Sequence, residues 1–212
     1  LPTHKIDGED LCVPQIEKVR DKHYLFGWMP QNPVGNNWGG YKNLPREVYQ
    51  RSDGTLGTRF DAMATKLLNK GKLFDLDATN VRATNSEVTK NDIHMLGKDK
   101  VEVIGKVGQT FVKFNVEMKN ADQFYYSMHD GYNEYRIAIE ERSDNQTYLR
   151  IYTEGNRTWS EVYLGPTSDV YECKLVCHGS IIEFAVNDIM VLSGRTQSPV
   201  IDYTPSFNAN GE

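Results

Sequence analysis

The chain has 212 residues, 39% hydrophobic and 11% aromatic, with tyrosine the most numerous aromatic at 12. That length supports one sizeable core or a core with a small appendage, and the composition is globular rather than disordered. A net charge of −5 excludes binding along a nucleic-acid backbone, which needs clustered Lys and Arg, and no apolar run is long enough for a membrane span.

In chain order, residues 1–22 are polar and aperiodic and read as an irregular arm. The chain opens at Leu1 with neither Met nor a signal pattern, so an upstream leader or domain is expected. His23–Met29 is a compact aromatic strand, followed by a Pro-, Gly- and Asn-rich loop over Pro30–Tyr41. Asn43–Arg51 is a second strand, Ser52-Asp53-Gly54 a turn, and Thr55–Thr58 a short returning strand. Phe60–Asn69 places Phe60, Met63, Ala64, Leu67 and Leu68 at helical spacing and predicts a short helix with one apolar stripe against a sheet. Thr79–Leu96 has no clear period.

Strands then follow one another: Val101–Lys106, Thr110–Met118, Gln123–Met128, Tyr135–Glu141, Tyr148–Tyr152 and Thr158–Leu164. The Gly105-x-x-Gly108 spacing reads as a hairpin turn. Tyr171–Cys177, Ile181–Val186 and Ile189–Leu192, joined at Gly179-Ser180 and Asn187-Asp188, form a meander. The fold expected is all-β: a two-sheet antiparallel β-sandwich of the concanavalin or jelly-roll kind, with a short N-terminal β appendage and one short helix. Its expected division is 1–59 for the arm and appended strands, 60–98 for the connector with the helix, and 99–212 for the sandwich.

Cys12, Cys173 and Cys177 form no disulfide framework. Cys173 and Cys177 lie on one face of a strand about 13 Å apart at about 3.3 Å per residue, too far to bond, and read as small buried hydrophobes. His4, His23, His94, His129 and His178 are scattered, with no metal-ligand spacing, so no cofactor or metal is expected. Glu140 and Glu141 are neighbours on a strand and point to opposite faces, so they cannot act as a catalytic pair. No catalytic residue is assigned. Carbohydrate recognition needs aromatic faces ringed by hydroxyl-binding polar groups, and the residues that fit are His129, Asp130, Tyr132, Asn133, Tyr135, Arg136 and Trp159. The Met128–Glu134 loop carries His129, Asp130, Tyr132, Asn133 and Glu134, which have no core reason there. Trp28 and Trp38 read as packing residues.

Two ordered segments carry a resemblance. Tyr171–Arg195 reads YECKLVCHGSIIEFAVNDIMVLSGR; Tyr24–Val48 contains Leu25-Phe26-Gly27-Trp28-Met29, Trp38-Gly39-Gly40 and Leu44-Pro45-Arg46-Glu47-Val48. Together they resemble the C-terminal part of glycoside hydrolase family 32 (invertases, levanases, inulinases): the last strands of a five-bladed propeller and the β-sandwich module behind it. The resemblance implies a non-catalytic module, structural or carbohydrate-binding. Its implied partners are a fructan or other glycan and an upstream propeller domain or partner chain. The rival readings are a fragment or diverged member of a β-fructosidase-type hydrolase with its catalytic residues upstream, and a protein-interaction module pairing through Tyr24–Met29. The family's three catalytic motifs (Trp-Met-Asn-Asp-Pro, Arg-Asp-Pro and a Glu-Cys acid) are read as absent, and His178 replaces an acidic residue before Gly-Ser. The resemblance also implies a secreted, periplasmic or cell-surface location, where Asn145 and Asn156 would be glycosylation acceptors.

Overall fold

The computed structural model describes residues 5–30, 39–68, 80–83, 85–90, 92–95, 98–105, 110–129, 132–153, 157–196 and 203–211. The first strands are β1 (Cys12–Val19), β2 (Lys22–Pro30), β3 (Gly40–Lys42), β4 (Arg46–Gln50) and β5 (Leu56–Phe60). The helix α1 (Ala62–Leu68) and three short strands follow, β6 (Val81–Arg82), β7 (Glu87–Val88) and β8 (Ile93–His94). The body of the chain is β9 (Asp99–Val103), β10 (Thr110–Val116), β11 (Ala121–His129), β12 (Glu134–Arg142), β13 (Gln146–Thr153) and β14 (Arg157–Pro166). It closes with β15 (Tyr171–His178), β16 (Ile181–Val186), β17 (Met190–Arg195) and β18 (Thr204–Gly211).

These strands build three layers. A seven-stranded sheet, ordered β14-β13-β12-β11-β18-β9-β6, faces a four-stranded sheet, β10-β15-β16-β17. A five-stranded sheet, β1-β2-β4-β5 with β3 on β2, covers the other side of the four-stranded one. The strand β16 shows why: every residue of IIEFAV is buried. Alternation sends Ile182, Phe184 and Val186 into the main core with Ile137, Ile139, Leu149 and Ile151. The opposite set, Ile181 and Ala185, joins Leu25, Met29, Val48 and Phe60 under the five-stranded sheet. The sandwich is therefore the expected all-β body, and the N-terminal strands lie on it as a third layer.

Glu183 belongs to that second set, and its charge is met at the layer boundary. The Arg46 guanidinium on β4 donates through Nε and Nη2 to Glu183 Oε2 (3.1 and 2.5 Å) and through Nη1 to Asp7 Oδ2 (2.5 Å). Asp7 also accepts from Ser193 N and Oγ (2.7 and 2.8 Å), while Leu44 N donates to Glu183 Oε1 (2.7 Å). Arg46 is fully buried. Elsewhere Tyr49 Oη donates to the Asp188 carbonyl (2.7 Å), and Thr58 N donates to the Ile189 carbonyl (3.0 Å).

Several expectations are corrected. The supposed irregular arm contains β1, whose register with β2 shifts at a bulge between Cys12 and Gln15. The helix is shorter than expected and none of its residues is fully buried: Asp61 caps it, Met63 and Leu67 are exposed, and Leu68 packs part-buried against the cluster of Phe60, Val176, Ala185 and Val191. Gly105 does not sit in a hairpin, since β9 and β10 belong to different sheets. The connector contributes β6 to the edge of the seven-stranded sheet. The strand β18, unforeseen, lies between β11 and β9 near the centre of that sheet. Cys173 and Cys177 are free, buried thiols, and burial alone pushes Cys177 up to about 12.

Candidate functional site

The sugar-binding residues proposed from sequence map to the β11–β12 hairpin and the strands beside it. His129 ends β11 opposite Glu134 at the start of β12. Period-two alternation then divides the residues between faces. His129, Glu134 and Arg136 share the outer face of the seven-stranded sheet, whereas Tyr135 points inward. Tyr135 is fully buried and stacks on Tyr203 at 5.6 Å between ring centres. It is a core residue and does not join Arg136 in a common site. Tyr132 is 96% exposed, and Asn133 is half-buried. Asp130 lies outside the described residues, as do Trp38 and Asn156; Trp159 belongs to β14, but its side chain lies outside them too. His129 Nε2 is 3.6 Å from Glu102 Oε2 on β9.

Around Arg136 the face is more elaborate than the sequence suggested. Its guanidinium donates to Glu134 Oε2 (3.0 Å from Nε) and lies 4.9 Å from the Tyr125 ring centre and 5.9 Å from that of Tyr152. Burial opposes the Arg136 charge, but Glu134 outweighs it and holds the pKa above the ordinary value. At the far end of the same strand, Arg142 donates to Glu140 (2.9 Å) and Glu161 (2.7 Å) while lying 3.8 Å over the Tyr148 ring. Arg150 is ion-paired to Glu140 and Glu161 and lies 5.0 Å over Tyr152. Burial raises the Glu140 pKa, yet the hydrogen bonds from Arg142 and Arg150 prevail and the net shift is downward. A glycosidic general acid needs the opposite shift.

Tyr148, Tyr152, Arg142 and Arg150 were missed as site candidates. Their signal was present: Tyr148, Arg150 and Tyr152 alternate with Leu149 and Ile151 along β13. Beside this face, Ser127, Ser206 and Asn208 form a buried polar cluster, with Ser127 Oγ 2.8 Å from Ser206 Oγ and Asn208 Nδ2 donating to both.

Other expectations fall where packing dictates. Tyr126 is a core residue against Phe207 (5.4 Å). Trp28, read as a packing residue, is 38% exposed on the outer face of the five-stranded sheet. In the Gly179-Ser180 turn, Ser180 is buried, and its carbonyl accepts from Thr196 N (2.8 Å). A Glu-Cys dipeptide does occur, Glu172-Cys173, but within β15 of the sandwich, where Glu172 is exposed and Cys173 is buried. Glu141 and Glu140 do face opposite ways: Glu141 accepts from Tyr171 Oη (2.5 Å), while Glu140 lies in the arginine lattice. Among the described residues no group of His, Cys, Asp or Glu could hold a metal ion, and no helix is long and apolar enough to cross a membrane.

No family profile and no curated protein matches the chain. Solved structures do. The wild-type fructosyltransferase from A. japonicus aligns at a TM-score of 0.56 and 14% identity, covering 90% of this chain and 38% of that one. A further A. japonicus structure, CB05, aligns at 0.55 and 13% identity, with the same two coverages of 90% and 38%. The Aspergillus kawachii beta-fructofuranosidase complexed with glycerol aligns at 0.54 and 16%, covering 90% of this chain and 40% of that one. This chain thus shares its fold with fructosyltransferase and beta-fructofuranosidase structures over 38–40% of their length.

Proposed function

We propose that the chain is a non-catalytic accessory module of a glycoside hydrolase family 32-like protein, bracing a larger propeller-type unit and holding carbohydrate beside it. The observation that carries this reading is the shared fold over part of each longer fructosidase-type chain, in agreement with the two motif segments Tyr24–Val48 and Tyr171–Arg195. The Arg46 lock supports the bracing role, because it ties the N-terminal sheet to the sandwich through charges that water does not reach. The outer face of that sheet, with Tyr24, Phe26 and the part-exposed Trp28 in a row on β2, is the side offered to the larger unit.

The carboxylates support the non-catalytic part. Glu140 is held ionised between two arginines, and Glu183 is sealed behind Arg46. Neither arrangement leaves a protonated acid about 5 Å from a free nucleophile, as retaining glycoside hydrolysis requires. A secreted or cell-surface setting follows from the same reading.

The test is direct. The purified chain is incubated with sucrose, inulin and levan, and released fructose is measured; binding to the same sugars is followed by calorimetry. Binding without release is expected. Fructose release by the chain alone overturns the non-catalytic reading, and failure to bind any sugar overturns the carbohydrate part.

A further inference from the structure

The outer face of β12, β13 and β14 has a composition unlike that of an ordinary solvated sheet. Between Lys119 and Lys174 the sequence contains no lysine, and its cations are Arg136, Arg142, Arg150 and Arg157. Here Arg136, Arg142 and Arg150 each lie against a tyrosine ring and are each held by a carboxylate. The tyrosines concerned, Tyr125, Tyr148 and Tyr152, come from neighbouring strands in register: Tyr125 is opposite Ala138, Tyr152 opposite Arg136, and Tyr148 opposite Glu140.

This arrangement has two consequences for recognition. The side chains are already ordered, so a ligand that meets them loses little rotamer entropy on their behalf. Tyrosine and arginine are also the residues that dominate binding energy when they are pre-ordered and partly desolvated. The charges settle the ligand class. Three arginines are balanced by Glu134, Glu140 and Glu161, so the face offers no net field to an anion or a cation. What remains is a close array of fixed donors and acceptors beside aromatic edges, open to solvent at Arg142 and Glu161 (36% and 32% exposed). That array complements a neutral, hydroxyl-rich chain, whose hydroxyls donate to carboxylates and accept from guanidiniums.

We infer that the Tyr–Arg–Glu lattice on β12, β13 and β14 is the binding face for a neutral oligosaccharide. The inference rests on the carbohydrate reading above and moves the site away from residues 130–133, onto the sheet.

The probes are β-2,1-linked fructo-oligosaccharides and cello-oligosaccharides as neutral ligands, with oligogalacturonate as an anionic one. Binding is measured by calorimetry and mapped by backbone-amide shifts. The variants are Arg142→Lys, which keeps the charge but loses the planar fork and the stacking, and Tyr148→Ala. Ile16→Ala, exposed on β1 of the five-stranded sheet, is the control, and melting curves verify folding. A neutral probe is expected to bind with shifts on β12–β14, to weaken at least tenfold in both lattice variants, and to be unchanged in the control. Unchanged affinity in both lattice variants overturns the site while leaving sugar binding in place. Preference for oligogalacturonate overturns the charge argument. No binding of any probe by the unaltered chain overturns this inference together with the carbohydrate reading.

Discussion

Arg46 carries a positive charge in a place with no water, and two carboxylates make that tolerable. Burial disfavours its ionisation, and Asp7 and Glu183 more than reverse the effect, so the guanidinium stays charged. Removing it would leave Asp7 and Glu183 buried without a partner. Arg46→Met should therefore destabilise the chain by about 3–5 kcal/mol in urea titration; a loss under about 1 kcal/mol would show that the lock is ornamental. Glu183 responds in the other direction. Burial raises its pKa, and Arg46 only partly offsets this. The folded state then holds that proton more tightly than the unfolded chain does, so stability is lost as pH rises from the ordinary value of 4.5 toward the raised one. Relative to Glu183→Gln, which cannot titrate, the unaltered chain should lose stability over that window. Urea midpoints that rise with pH relative to the variant would contradict this assignment.

At the level of strands, the spacing between the two sandwich sheets is set by a glycine. Gly194 on β17 faces β13, and a Cβ there would meet Ile151 Cδ1 at 2.6 Å and Cγ2 at 3.0 Å. The second contact involves a β-branched carbon close to its backbone, which cannot swing away cheaply. Gly194→Ala should cost about 1–3 kcal/mol by overpacking, and Gly194→Ala with Ile151→Val should recover part of it; no recovery would place the strain elsewhere. The strands most legible in the sequence were those with an inward–outward rhythm: β13 and β12 alternate around residues that proved to be core. The strand β18 was not legible, because TPSFNANG pairs a lone Phe207 with Pro205 and two asparagines. Its place is fixed by β11 and β9 rather than by its own propensity. The strand β1 was hidden for a related reason. Its outer edge carries Pro14, a bulge and the positive-φ Val13 (φ 46°), features that blunt an exposed edge and erase the strand pattern. The candidate face was half legible: Arg136 was named, but a set drawn from consecutive residues also took in Tyr135, which the alternation sends to the core. The partners of Arg136 come from β11 and β13, and only the register brings them together.

For the molecule as a whole, the four-stranded sheet is the hinge of the stability argument, because it is the wall of two cores at once. Without the N-terminal strands, Ile181, Ala185 and Val191 would face water, and Glu183 and Ser193 would lose Arg46. Exposed apolar area disfavours folding by roughly 25 cal/mol per Å², and the sheet's only compensation would be hydration of Glu183. The five-stranded sheet is in the converse position: among the described residues, its inner Leu25, Met29 and Val48 share their core with Ile181 of the four-stranded sheet. We propose that neither layer folds without the other, so that the division expected near residue 59 separates layers of one cooperative body. Calorimetry should give one cooperative transition, with the calorimetric and van't Hoff enthalpies equal. A chain beginning at residue 61 should fail to give a sharp melt, and native-state hydrogen exchange should protect β4 and β16 to the same free energy. Two resolved transitions, or a truncated chain that melts cooperatively, would mean that the layers are held together by less than their shared core and that the bracing role has to be sought outside the Arg46 interface.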